Sequence, residues 1–151
     1  MEKDNGIYSL DALAEWLNGE IGDCSVLITQ TQADRQLNLA SSGVPLPKAL
    51  RLEMPIRYSI CQHVKAMDFP LVVDNALTHP LLRDNDAVTE LGIAAYAGAP
   101  THYGNLQPFG AVCVLKRSIH RWQASEISLI LRAASFADRV FASTGNHSPR
   151  S

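Results

Sequence analysis

Leu10, Leu13, Ala14 and Leu17 recur at helical spacing behind Ser9, a residue suited to cap a helix, and Gly22-Asp23 closes that segment. Asp11 falls in the first turn, at the positive end of the helix dipole. Ser25-Val26-Leu27-Ile28-Thr29 then reads as a strand of branched side chains. After a polar turn over Gln32–Arg35, Leu37 to Ser41 alternates as a short strand. From Leu50 to Arg57 the alternation is clearest: Leu50, Leu52, Met54 and Ile56 oppose Arg51, Glu53, Pro55 and Arg57, which predicts a strand solvated on one face. Pro55 cannot donate to a ladder and places that strand at a sheet edge.

Ser59-Ile60-Cys61-Gln62 has the spacing of a capping box and predicts a helix from Ile60 to about Met67. A strand follows at Leu71-Val72-Val73, ending at Asp74. Residues 75–86 are polar and irregular, and a short helix over Ala87–Leu91 stops at Gly92. The apolar runs Ile93–Pro100 and Phe109–Leu115 pair as an antiparallel hairpin through Thr101–Pro108. A last helix spans about Ser125 to Ser143.

That last helix is apolar on two faces. Ile127, Ile130, Leu131, Ala134 and Ala137 form one stripe, and Leu129, Ala133, Phe136 and Val140 another. One stripe suffices to cover a sheet. The second is either wrapped within the monomer or packs in a homodimer with Ala12 and Trp16 of the first helix.

The length of 151 residues suits one domain, with 1–7 and 144–151 expected as flexible ends around a folded unit at 8–143. A composition of 46% hydrophobic and 19% charged residues is that of a globular chain. Thirteen basic and 15 acidic residues are scattered without a basic run, so nucleic acid is not an expected partner. The N-terminus is too polar for a signal peptide, and no apolar run approaches the roughly 18 residues of a membrane span. With Cys24, Cys61 and Cys113 odd in number and set in apolar stretches, the chain reads as a cytoplasmic protein with reduced thiols.

The stretches Ser59-Ile60-Cys61-Gln62-His63-Val64, Pro70-Leu71-Val72-Val73-Asp74-Asn75-Ala76 and His79-Pro80-Leu81 occur in that order. They are followed by Gly92 to Pro100, Phe109 to Leu115, and Arg121-Trp122 before Glu126. In order and gaps the run resembles the central and C-terminal part of a bacterial GAF domain; residues 8–58 resemble it more loosely. The resemblance implies an α+β sandwich of PAS-like type, with a central antiparallel sheet of about five or six strands. Terminal helices would lie on one face. Short helices and the Asn75–Leu91 loop would cover a small-molecule pocket on the other. It also implies a sensor, signalling through its dimer interface or a partner protein. No catalytic or DNA-binding segment follows Ser143, so the chain either signals through a partner or is a piece of something longer.

Family subtypes differ by residue. The N-K-x-D-E-type signature of cyclic-nucleotide-binding members is absent, and Cys61-Gln62-His63 does not match the Cys-His segment of bilin-binding members. One enzyme branch reduces free methionine sulfoxide with cysteines clustered mid-domain, a spacing that Cys24, Cys61 and Cys113 do not reproduce; no catalytic residue is carried over. The cofactor stays unspecified, and no histidine pair has metal-ligand spacing. A haem on His79 or His102 is not expected. There is no G-x-S-x-G and no Gly-rich phosphate loop.

The ligand-contact candidates are Cys61, His63, Asp74, His79, Leu81, Leu82 and Tyr96. Cys61, in the first turn of a helix, is either a redox-sensing or ligand-contacting thiol or a small buried hydrophobe. His63, if protonated and close, would favour its thiolate. Cys113 reads as a packed strand residue. Asp74 either contacts ligand or caps the following loop, and Tyr96 serves pocket or core. His79, Leu81 and Leu82 come from the loop over the pocket. The leading expectation is a small-ligand sensor without enzymatic activity. The alternatives are a free methionine-(R)-sulfoxide reductase-like enzyme and a ligand-free dimerisation module.

Overall fold

The computed structural model describes residues 9–43, 46–104 and 107–143. The expected flexible ends at 1–7 and 144–151 lie outside the described residues. Helix α1 (Leu10–Ile21) starts where Ser9 Oγ accepts a hydrogen bond from the Ala12 N–H at 3.1 Å. It ends at Gly22, whose φ of 80° turns the chain while its N–H returns to the Asn18 carbonyl. Strands β1 (Ser25–Thr31), β2 (Arg35–Ser42) and β3 (Glu53–Pro55) follow. Helix α2 (Cys61–Met67) leads to β4 (Leu71–Val73), and the short α3 (Asp86–Thr89) to β5 (Ala95–Tyr103) and β6 (Gln107–Lys116). Helix α4 (Ala124–Ser143) closes the order.

The strands form one antiparallel sheet in the order β3-β2-β1-β6-β5-β4. At its centre β1 pairs with β6, from Ser25 opposite Leu115 to Gln30 opposite Gly110. Gly110 lies so close to β1 that an added Cβ would collide with the Thr29 carbonyl, so only glycine allows this approach.

The strand expected over Leu50–Arg57 is shortened to Glu53–Pro55, flanked by 3₁₀ turns at Lys48–Leu50 and Ile56–Tyr58. Asn38 supplies the reason: its side chain donates to the carbonyls of Leu50 and Arg51, and its backbone N–H to that of Leu52. These bonds pull 50–52 across the edge of β2 instead of along it. Leu52 is left 79% exposed, against the inward place that alternation gave it. Pro55 does lie on the edge strand. The hairpin is longer than expected, because β5 runs to Tyr103 and β6 begins at Gln107. Helix α3 ends at Thr89, earlier than the expected Leu91.

Helices α1 and α4 pack on one face of the sheet. Leu13 and Leu17 of α1 are fully buried with Val26, Ile28, Val112 and Val114, a burial worth about 1.5–3 kcal/mol for each leucine. The alanines at 95, 97 and 99 of β5 join Ala133, Ala134 and Ala137 of α4 in the same core, so helix and sheet meet through small side chains. The two stripes on α4 do not separate into one buried and one bare: Ile130, Ala134 and Ala137 of the first and Ala133 of the second are buried, together with Phe141 of neither, while Leu131 of the first is 44% exposed. The opposite face carries a second core, in which Ile60, Cys61, Val64, Leu82, Val88 and Ile93 cover Leu27, Tyr96, Cys113 and Leu115.

Candidate functional site

The second core is incompletely filled. Between the sheet and its cover lies a largely apolar pocket lined by Leu27, Met54, Ile60, Cys61, Ala87, Leu91, Ile93, Tyr96, Cys113 and Leu115, with Ser25, Gln36, Leu46, Tyr58 and Arg117 completing the wall. Among the described residues of that lining, Arg117 is the sole charged side chain. It sits at the exposed rim, where Nη1 donates to the Leu91 carbonyl at 2.7 Å. The free volume is about 30 Å³, room for a water or two. From the wall, Tyr58 Oη donates to Oε1 of Glu90, just past α3, at 2.6 Å, and Arg57 Nε donates to Asp86 Oδ2 at 2.8 Å, so α3 is fastened to the 56–58 turn. Both contacts face solvent and are weak.

A chain of polar side chains anchors the start of α2 to the sheet. Ser59 Oγ accepts from the Gln62 N–H at 3.0 Å, the first half of the expected capping box. The Gln62 amide, however, turns to the carbonyls of Ser59 and Ile56. Ser59 donates to Gln36 Oε1 at 2.5 Å, and Gln36 Nε2 donates to Asn38 Oδ1 at 2.9 Å. Gln36 and Asn38 are thus buried on β2, while Leu39 between Asn38 and Ala40 is 37% exposed. Apolarity alone would have chosen the reverse, and the polar pair is tolerated because its amides are partnered. Gln36 was missed in the sequence because its partner Ser59 is a loop away.

At the pocket floor the Cys61 Sγ lies 3.1 Å from the Tyr96 Oη and 3.5 Å from the Cys113 Sγ. All three residues are buried. Hydrogen bonding with Cys113, then with Tyr96 and Thr29, lowers the Cys61 pKa against the opposing effect of burial. Burial drives Cys113 and Tyr96 well above their usual values, and the Cys61 thiol donates toward the Cys113 sulfur. Gly98 makes room for this arrangement: a Cβ there would stand 2.5 Å from the Tyr96 hydroxyl and 2.9 Å from its ring.

Of the seven candidate contacts, Cys61 and Tyr96 line the pocket and the other five do not. His63 is half-buried on α2, and its pKa is lowered by burial and then by the charge of His79. Asp74 Oδ1 accepts from the Trp122 N–H at 3.2 Å, and its carbonyl accepts from the His120 N–H. It ties β4 to the approach of α4. His79 Nδ1 accepts from the Leu81 N–H at 3.1 Å and so shapes its own turn. Leu81 is 44% exposed, and Leu82 is wholly buried in the second core. Cys113, read as packing, joins the pocket. Its companion Cys61 lies 52 positions away, beyond any local pattern. Among the described residues no group of three or more His, Cys, Asp or Glu could hold a metal, and no helix is long and apolar enough to cross a membrane.

A six-stranded antiparallel sheet with terminal helices behind it and a roofed apolar pocket before it defines an α+β module built around a covered cavity. A family model for the GAF domain matches residues 9–140, and the chain belongs to that family. No curated protein matches the sequence. Among solved structures, the fold is similar to the GAF domain of an Acinetobacter phosphoenolpyruvate-protein phosphotransferase, with a TM-score of 0.73 at 15% identity over 95% of this chain and 86% of that one. It is also similar to a type II free methionine-R-sulfoxide reductase from Thermoplasma acidophilum, at TM-score 0.69 and 10% identity, covering 87% and 89%. The blue-light-absorbing form of the Thermosynechococcus elongatus PixJ GAF domain gives TM-score 0.68 at 16% identity, covering 95% and 91%. At these identities the likeness extends to the fold alone.

Proposed function

We propose that this GAF domain is a sensor whose input is a small, largely apolar molecule held between α2, α3 and the sheet. The observation that carries this reading is the apolar pocket with one cationic rim residue, Arg117, which favours an occupant bearing a carboxylate or similar anionic end. A guest larger than water must lift the roof, and the solvent-facing Tyr58–Glu90 and Arg57–Asp86 contacts are the weak fastenings that would yield. Displacement of α2 would reach β1, β5 and β6, against which it packs, and through the sheet α1 and α4 behind. There Trp16, Leu129 and Phe136 are only half-buried, a surface suited to a homodimer or a partner protein.

The reading is tested by native mass spectrometry of freshly purified protein beside an Ala87→Phe variant, whose added ring fills the pocket. The wild type is expected to carry a small molecule that the variant lacks. Bare chain in both, together with no thermal stabilisation by a panel of short-chain and aromatic carboxylic acids, would refute it.

A second reading is supported by the fold of the Thermoplasma reductase and by the placement of Cys61 in the pocket. Thiol-dependent reduction of free methionine-R-sulfoxide would show as NADPH consumption with thioredoxin and its reductase, lost in Cys61→Ser. No turnover in the wild type leaves the sensor.

A further inference from the structure

Two of the three cysteines, from elements far apart in the chain, meet in the wall of the apolar pocket. Cys61 opens α2 and Cys113 lies mid-strand in β6, yet their sulfurs are 3.5 Å apart. A disulfide needs about 2.05 Å, so the sulfurs must approach by about 1.5 Å. That distance is within reach of side-chain adjustment and a small shift of α2. Cys113 is the fixed member, because β6 is paired on both sides, with Leu27 of β1 and Gly98 of β5 opposite it. Both sulfurs belong to residues of the pocket wall, whose half-buried or exposed members Leu46, Tyr58, Leu91 and Arg117 give a small neutral reagent a way in. Cys24 stands apart, its thiol donating to Asn18 Oδ1 at 3.4 Å.

We infer that Cys61 and Cys113 form a dithiol oxidation site whose substrate is a hydroperoxide small enough to enter the apolar pocket, hydrogen peroxide being the simplest. The Cys61 sulfur attacks one peroxide oxygen and the O–O bond breaks. The remaining oxygen leaves with a proton as water or an alcohol, and Cys61 becomes a sulfenic acid. The Cys113 sulfur then attacks the Cys61 sulfur. The S–S bond forms, the S–O bond breaks, and hydroxide leaves with the Cys113 proton as water. In sum, two thiols and one hydroperoxide give one disulfide, one water and one alcohol or second water. The two cysteines lose two electrons, and the hydroperoxide gains them. Tyr96, with its hydroxyl 3.1 Å from the Cys61 sulfur, is the positioning residue for the first step. The lowered pKa of Cys61 beside the raised one of Cys113 agrees with this division of roles. The bond would draw the start of α2 toward β6 and narrow the pocket. The site requires no bound ligand and stands independently of the sensor reading.

The test is to treat fully reduced, folded protein with hydrogen peroxide, block remaining thiols, unfold, digest and map by mass spectrometry. The expected product is a peptide pair joined through Cys61 and Cys113, with a loss of two of the three free thiols that dithiothreitol restores. Cys24→Ser is expected to give the same cross-link. Cys113→Ala, checked for folding by circular dichroism, is expected to stop at a Cys61 sulfenic acid that dimedone labels. Thiols that survive peroxide, cross-links only through Cys24 or between chains, or over-oxidation without the Cys61–Cys113 bond would each overturn the inference. None of these outcomes depends on whether a metabolite co-purifies.

Discussion

The Tyr96 hydroxyl is held by a residue that offers it nothing but space. Gly98, two positions along β5, leaves room for the phenol ring to lie along the sheet, so the hydroxyl ends beside Cys61. Gly98→Ala is expected to destabilise the fold by about 1–3 kcal/mol through overpacking, measurable by urea unfolding. Tyr96→Phe removes one hydrogen bond and is expected to cost about 1 kcal/mol. It should also slow the reaction of Cys61 with a small alkylating reagent at fixed pH, because the thiol loses a donor to its sulfur. An unchanged rate would show that the hydroxyl does not tune the thiol. Cys61 and Tyr96 were legible in the sequence because Ser59-x-x-Gln62 marks the start of α2 and the apolar run 93–100 marks a strand. Cys113 and Gln36 were not: one pairs across the fold, and the other is a buried amide whose satisfaction depends on Ser59.

Elements are pinned to one another by a few polar side chains that no periodicity encodes. His102 on β5 bridges two helices, with Nε2 2.6 Å from Asp68 at the end of α2 and Nδ1 3.1 Å from Asp138 on α4. Partial burial alone would lower its pKa, but the hydrogen bonds and charges of Asp138 and Asp68 outweigh that and raise it above 6.5. The stabilisation is therefore fully present below pH 6.5 and is lost as pH rises through the higher folded value. His102→Gln is expected to cost about 1 kcal/mol or less at pH 5.5–6 and progressively less in alkaline buffer, read by unfolding curves across pH. A cost independent of pH would assign His102 a packing role only. A second pin is Trp122, whose indole N–H donates to the Val73 carbonyl at 3.0 Å in a buried setting. Trp122→Phe should lose about 1–3 kcal/mol by leaving that carbonyl without its donor. Helix α1, with its own cap and periodicity, was readable nearly to the residue, and the β5–β6 pairing was readable as a hairpin though not in its bounds. The alternation at 50–57 misled because it records which side chains are apolar, whereas the Asn38 bonds decide where the backbone goes.

For the whole molecule, the rear face formed by α1 and α4 is partly dressed by arginine. The Arg132 guanidinium lies 5.8 Å from the Trp16 ring centroid, and that of Arg139 lies 5.0 Å from Phe136. Stems of this kind shield aromatic surface while leaving it available to a partner. Light scattering of the wild type is expected to give a dimer, and Leu131→Glu, at an exposed position with no core cost, a folded monomer. A wild type that stays monomeric at high micromolar concentration removes the dimer from the sensor proposal.

The central ladder between β1 and β6 bears on how the molecule comes into being. Strands β1, β2 and β3 make one meander and β4, β5 and β6 another, and the two are stitched where residues 25–30 meet 110–115. On the ribosome the outer edge of β1, with Val26 and Ile28, stays open until the chain has been made through Lys116. Pairing so distant in sequence is slow to nucleate and exposed to wrong partners while it waits. A nascent chain arrested just after Tyr103 should thus remain protease-sensitive and bound by chaperones, and release past Ser143 should let both halves close together.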